Sequence, residues 1–268
     1  MRTIATQVLR GPRTARLRAK LARWRASWRY LGKLVANVGS GQDCPLCGWH
    51  FRRFLPTGVK SPAYAEFGIV GGGYRQNAIC PRCWSSDRER HLFLFLRDHT
   101  PLFHDPLRVL HIAPELNLSR LLRGRDNLDY LSGDISSPRA MVRLDVTRLG
   151  LPDGSFDVVL CNHVLEHIPD DRQAMSELFR VLSPGGWAVL QVPYAPALAE
   201  TIEDPAVTTP EDRERIYGQH DHVRLYGRDY LDRLERTGFR VALRRWEGDG
   251  RSRHALLQDE EIIFCTRG

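Results

Sequence analysis

From residue 107 of this 268-residue chain onward, short apolar runs stop again and again on a polar side chain. Leu107-Arg108-Val109-Leu110-His111-Ile112-Ala113 leads into Pro114-Glu115, and Tyr130-Leu131-Ser132-Gly133 ends on Asp134. Met141-Val142-Arg143-Leu144 ends on Asp145, and Phe156-Asp157-Val158-Val159-Leu160-Cys161 ends on Asn162. Runs of this length are those of buried strands. Helix-period stretches lie at Leu116–Leu122, Asp170–Leu182 and Tyr230–Arg236, and further strands are expected at Trp187–Val192, Phe239–Trp246 and Ile262–Thr266. Residues 194–225 read as a polar insertion. Such alternation predicts an α/β fold, a mostly parallel sheet with helices on both faces. In open sheets of that kind, polar groups at the carboxyl ends of the strands line a crevice for nucleotide-like ligands.

Charge is unevenly distributed. The net charge is +7, yet residues 1–39 hold ten Arg or Lys and no acid, so the rest of the chain sums to about −3. Within this basic arm Leu17, Leu21, Trp24, Trp28, Leu31 and Val35 recur at helical spacing, with arginines on the other faces. Three readings of this amphipathic pattern stay open: a helix docked on the protein, a peripheral contact with an anionic membrane, and a nucleic-acid contact or transit segment. No apolar run is long enough to span a bilayer, and the basic start lacks the apolar region of a signal peptide. A reducing cytoplasm is the expected compartment.

There, paired cysteines favour metal over disulfide. Cys44-Pro45-Leu46-Cys47 and Cys80-Pro81-Arg82-Cys83 are separated by 32 residues, and Gly48 follows the first pair. Two C-x-x-C knuckles supply four thiolates, the ligand set of structural zinc, with no coordination position left for chemistry. Cys161 and Cys265 sit in apolar runs and read as core. The expected division is a basic arm (1–39), a zinc module (40–85), a bridging helix and linker (86–106) and a catalytic domain (107–268). Ser86 and Glu89 have capping-box spacing at the start of the bridging helix.

Three stretches share motifs with a known family: Leu151-Pro152-Asp153-Gly154-Ser155-Phe156-Asp157-Val158-Val159, then Asn162-His163-Val164-Leu165-Glu166-His167-Ile168, then Glu177-Leu178-Phe179-Arg180-Val181-Leu182-Ser183-Pro184-Gly185-Gly186. Over roughly 107–266 the chain resembles the class I S-adenosylmethionine-dependent methyltransferases, especially the small-molecule group. The resemblance implies a Rossmann-like sheet and S-adenosylmethionine as cofactor. It implies that Asp134 takes the ribose hydroxyls and that Asp145, or the Val146 amide, meets the adenine edge. Asn162 and His163 then leave the fourth strand where the methyl group sits. One departure stands out. The family's first strand leads into D-x-G-x-G-x-G, whereas here His111 stands for the acid and Ala113, Glu115 and Asn117 for the glycines. Pro114 removes a further amide donor. The expected outcome is a variant pocket in which Glu115 reads the cofactor's ammonium group. The alternative is that cofactor binding is weak or lost.

Methyl transfer needs donor and acceptor aligned and water excluded, and an alcohol acceptor also needs a base. The segment His220-Asp221-His222-Val223-Arg224-Leu225-Tyr226 offers His222 or His220 as base, with His163 and His167 behind them, and Arg224 and Tyr226 for the substrate. A metal at His220 and His222 lacks a third ligand, and Glu166 and His167 read as shaping a strand-to-helix turn. The function expected is methylation of oxygen or nitrogen on a small-molecule, lipid- or glycan-linked acceptor. The alternatives are an RNA methyltransferase contacting RNA through the zinc module, as some ribosomal-RNA guanine methyltransferases carry such a module, and a non-catalytic methyltransferase-like binding module. No asparagine-proline motif of the base methylases follows the fourth strand.

Overall fold

The computed structural model describes Gly32 and residues 34–268, so the amphipathic pattern of the basic arm falls almost wholly outside the described residues. The central sheet has seven strands: β5 (Leu107–Ile112), β6 (Leu128–Asp134), β7 (Val142–Arg143), β8 (Phe156–Cys161), β9 (Leu182–Val189), β10 (Arg240–Arg244) and β11 (Ile262–Thr266). Their order is β10-β11-β9-β8-β5-β6-β7. β5 to β9 are mutually parallel, and β11 runs antiparallel between β9 and β10. The chain therefore winds outward from β5 in one direction, then returns to place β8 on its other side. That reversal opens a crevice at the carboxyl ends of β5 and β8.

Side chains alternate across these strands. Leu110, Ile112, Val159 and Cys161 join one apolar cluster, with α4 (Asp171–Val181) and α6 (Asp229–Thr237). Val109, Val158 and Leu160 join the other, with α2 (Asp87–His99) and α3 (Leu116–Arg123). Coverage on both faces is why the strands read as continuous apolar runs.

The structure departs from the sequence reading most clearly around β9 and in the polar insertion. β9 begins at Leu182, because the Ser183-Pro184-Gly185-Gly186 turn lies inside a bulge opposite β8 where the register shifts. The strand ladder stops at Val189, and the Gln191 side chain accepts from Ile263 N in place of a backbone partner. Within the polar insertion, Pro210–Tyr217 forms a helix, α5. Thr209 caps it by accepting from Asp212 N, Pro210 starts it, and Gly218 closes it in the left-handed conformation. Its low apolar content hid it.

Ahead of the sheet, β1 (Val38–Asp43) pairs with β2 (His50–Phe51), β3 (Leu55–Thr57) pairs with β4 (Arg75–Ile79), and a single-turn helix, α1 (Ala63–Glu66), lies between. α2 joins this module to the sheet. Ser86 caps α2 as expected, accepting from Glu89 N at 3.1 Å. Glu89 does not complete the box; its carboxylate accepts from Asn117 N and Leu118 N at 2.8 and 3.0 Å and so caps α3. Arg90 is fully buried and donates to the carbonyls of Ala78, Ser85, His254 and Ala255, tying the module to the loop before β11. No helix among the described residues is long and apolar enough to cross a membrane.

Candidate active site and cysteine cluster

The turn after β5 takes an unusual path. Ala113, in a position where the resembling family has glycine, adopts φ +47°, and Glu115 stands just before α3 with extended backbone, its side chain making no capping bond. His111 is buried and donates through Nε2 to Glu115 Oε2 at 2.6 Å, while Asn162 Nδ2 donates to Glu115 Oε1 at 3.1 Å. Burial works against the Glu115 charge, but His111 and Asn162 outweigh it and hold the carboxyl below its usual range. The crevice therefore carries a fixed anion where the resembling family has a bare glycine backbone.

A cavity lies between the ends of β5 and β8, bordered by Arg88, His91, Glu115, Asn162, His163 and Glu260. Three buried polar atoms on these residues have no protein hydrogen-bond partner: Arg88 Nε, His91 Nε2 and Asn162 Oδ1. Buried groups in native proteins are nearly always satisfied, so orphans gathered in one place call for ligand atoms. Arg88 also donates to Gly71 O at 2.6 Å and to His163 Nδ1 at 3.1 Å. His163 has φ +55°. Burial first, then Arg88, keeps it neutral well below the ordinary histidine range. With Nδ1 accepting from Arg88, its proton sits on Nε2. His163 thus presents a donor there, which removes it as a proton acceptor at that atom.

Gly71 belongs to the N-terminal module. Its loop is stitched to the segment that follows β9 by paired backbone bonds between Val70 and Tyr194, at 2.8 and 3.0 Å. A neighbouring small recess, walled by Val70, Gly71, Tyr194 and Leu243, shares Gln191 and Glu260 with the cavity. Module and sheet thus build the crevice jointly. Sequence reasoning missed Arg88, His91, Gly71 and Glu260; the Gly71-Gly72-Gly73 triplet was the one local signal, and it named no partner.

At the far side, the half-buried Asp134 ends β6, and Oδ1 accepts from Ser136 N and Ser137 N at 2.7 and 2.6 Å. The carboxylate's hydrogen bonds among the described residues fall on Oδ1, which leaves Oδ2 for a diol. Asp145 does not close a strand as expected: β7 ends at Arg143, and Asp145 stands exposed in the following turn. Its Oδ1 accepts from the hydroxyl and amide of Thr147, which lower its pKa. Val146 beside it is buried.

The 218–226 loop is placed by the structure in a different role from the one expected of it. Arg224 is buried and donates to the carbonyls of Leu165, Ile168 and Pro169 and to Glu203. Tyr226 is buried too, and its hydroxyl donates to Asp171 Oδ2 at 2.7 Å. Both expected substrate contacts are instead engaged in holding the loop against the turn after β8, so neither faces an open acceptor pocket. Tyr226→Phe should cost about 1–2 kcal/mol, because it strips a buried donor from Asp171. A lowered melting temperature with unchanged ligand affinity is the expected readout. His220 is exposed. His222 is buried, packs at 4.8 Å against His167, and is pushed down to about 4 by burial. Neighbouring Glu166, also buried, is pushed up to about 8 by the same cause.

The four cysteines converge. Cys44 and Cys83 Sγ are 3.6 Å apart, Cys47 and Cys80 Sγ 3.8 Å, and all four sulfurs lie within 4.8 Å of one another. Zinc–sulfur bonds of about 2.3 Å in tetrahedral geometry put sulfurs roughly 3.8 Å apart. The two knuckles repeat one backbone plan. Cys44 N donates to Trp49 O and Cys80 N to Ser85 O, and the residue after each pair, Gly48 and Trp84, has positive φ.

Residues 114–190 match the family model described as a methyltransferase domain. The matched segment contains Glu115, Asp134, Asp145, Val146, Asn162 and His163, and ends before the 218–226 loop. A protein of Mycolicibacterium smegmatis described as "Probable S-adenosylmethionine-dependent methyltransferase" is 42% identical over 72 residues, which are 25% of this chain and 28% of that protein. Demethylmenaquinone methyltransferase of Beutenbergia cavernae is 29% identical over 148 residues, 47% of this chain and 60% of the other. The chain thus spans less than two thirds of the length of either relative. Among solved structures, an S-adenosylmethionine-dependent methyltransferase from Archaeoglobus fulgidus is similar with a TM-score of 0.46 at 18% identity, covering 68% of this chain and 95% of that one.

Proposed function

We propose that this chain is an S-adenosylmethionine-dependent methyltransferase acting on oxygen or nitrogen of a small-molecule, lipid- or glycan-linked acceptor, with one structural zinc on Cys44, Cys47, Cys80 and Cys83. The observation that carries the reading is the pairing of a diol-ready Asp134 at the end of β6 with orphaned polar atoms at the ends of β5 and β8. Asp134 would hold the ribose hydroxyls, and Asp145 with the Val146 amide the adenine edge. Glu115 and Asn162 Oδ1 would take the ammonium of the amino-acid end, and Arg88 its carboxylate. Bound there, S-adenosylmethionine would supply an electrophilic methyl group. The rest is done by the chain: His163 Nε2–H borders the reacting region, and the Gly71 loop shields it from water. The adjoining space beside Tyr194 and Leu243 is the acceptor pocket in this reading.

Calorimetry with S-adenosylmethionine and with its demethylated product tests the proposal. Saturable binding of both is expected, and no heat at millimolar ligand would leave only a non-catalytic relative of the fold. Glu115→Gln keeps the shape of the side chain and removes its charge. It should weaken both ligands about tenfold, since a charge-assisted hydrogen bond contributes about 1.5–3 kcal/mol. An unchanged constant would show that Glu115 only braces the turn.

A further inference from the structure

The turn after β8 and the 218–226 loop are distant in sequence but locked together. Val223 N donates to Glu166 O at 2.9 Å, and Arg224 clamps Leu165 and Ile168. This locking brings His222 against Glu166 and His167 and supplies the ligand that a histidine pair alone lacked. The candidate ligand atoms of the three residues lie within 4.8 Å of one another, with His167 Nε2 at 3.9 Å from Glu166 Oε1. Donor atoms around one ion at about 2.1 Å stand roughly 3–3.5 Å apart, a separation that small side-chain rotations reach.

Two further observations point to a ligand. Glu166 is 1% exposed, yet its Oε2 has no hydrogen-bond partner. A buried carboxylate oxygen left bare is costly unless something cationic meets it. Both imidazoles are also oriented as metal ligands are. His222 Nδ1 donates to Tyr217 O and His167 Nδ1 to Asp221 O, each at 3.3 Å, which leaves the Nε2 lone pair of each ring for an ion.

We propose that Glu166, His167 and His222 form an open three-ligand site for a divalent first-row transition metal. Two imidazoles and one carboxylate suit such an ion and leave positions free. The site is chemically distinct from the four-thiolate cluster. It adjoins the crevice, since Glu166 Oε1 is 3.7 Å from His163 Nδ1. On the methyltransferase reading, on which this clause rests, the free positions receive a hydroxyl oxygen of the acceptor and ease loss of its proton to solvent.

The test is a Co(II) titration of the full chain with its zinc left in place, followed by visible absorption. One equivalent should bind with d–d bands and without thiolate charge transfer. Glu166→Gln and His222→Ala should each weaken uptake at least tenfold, while His220→Ala, an exposed neighbour, should leave it unchanged. Thermal melts show whether each variant folds, and the near-isosteric Glu166→Gln keeps the test decisive if His222→Ala does not. No cobalt beyond thiolate-bound metal, equally tight binding by Glu166→Gln, or an equal loss in His220→Ala would overturn the site. Calorimetry with S-adenosylmethionine on the same protein is an independent readout: cobalt uptake without cofactor binding upholds the metal site and rejects the methyltransferase reading.

Discussion

Cys80→Ser is expected to abolish zinc binding and melt the N-terminal module. Cys80 is fully buried, and its sulfur is one of four that converge. Structural zinc sites contribute apparent binding free energies of about 10–16 kcal/mol, and a small module with few core residues has little else to hold it. The apolar cluster around the knuckles comprises Phe51, Phe54 and the cysteines themselves, with a few partly buried neighbours. Elemental analysis should fall from one zinc per chain to almost none. The melting temperature should drop by at least about 10 °C, and protease cleavage should begin between 40 and 85. Chelation of the wild type should reproduce all three. A Cys80→Ser protein that kept its zinc and its melting temperature would refute the site. Because the Gly71 loop walls the crevice, cofactor affinity should fall with the metal although no cysteine touches that crevice.

Asp134→Ala is the second large effect, and it acts on binding alone. One carboxylate oxygen is held by two backbone amides, so the other is presented rigidly. Two charge-assisted hydrogen bonds to vicinal hydroxyls would be lost at about 1.5–3 kcal/mol each, partly offset by water. Cofactor affinity should drop roughly 50-fold, and the melting temperature should move little, since Asp134 is only partly buried. Asp134→Asn, which retains an acceptor oxygen, should recover part of the loss. Equal affinity for wild type and Asp134→Ala would remove the adenosine assignment.

Much of this arrangement is local and was legible. The strands ending at Ile112, Asp134 and Cys161 announce themselves by composition, and the cysteine knuckles by spacing. Ser86 declares a helix start because a cap is a short-range device. What escaped was non-local. Nothing near Glu89 says that its carboxylate will cap α3, and nothing near Arg224 says that its guanidinium will be walled in by the carbonyls of another turn. Glu166 and His167 do sit in the strand-to-helix turn, as their sequence reads, but the backbone bond from Val223 that brings His222 to them is invisible in one dimension. Arg88 and Gly71 were missed for the same reason. Asp145 was placed correctly beside the sheet but assigned to a strand that ends two residues earlier.

Glu89 also bears on how far this protein can be taken apart. The portion that resembles the methyltransferase family model begins after α2, yet the amides opening α3 are satisfied by Glu89 of α2, and the Arg88 guanidinium facing the crevice is carried by α2 as well. A fragment starting at 107 would carry an uncapped helix and a half-built binding face. The front portion is therefore no detachable accessory, and exchanging it for that of a relative would rewrite the recognition surface along with it.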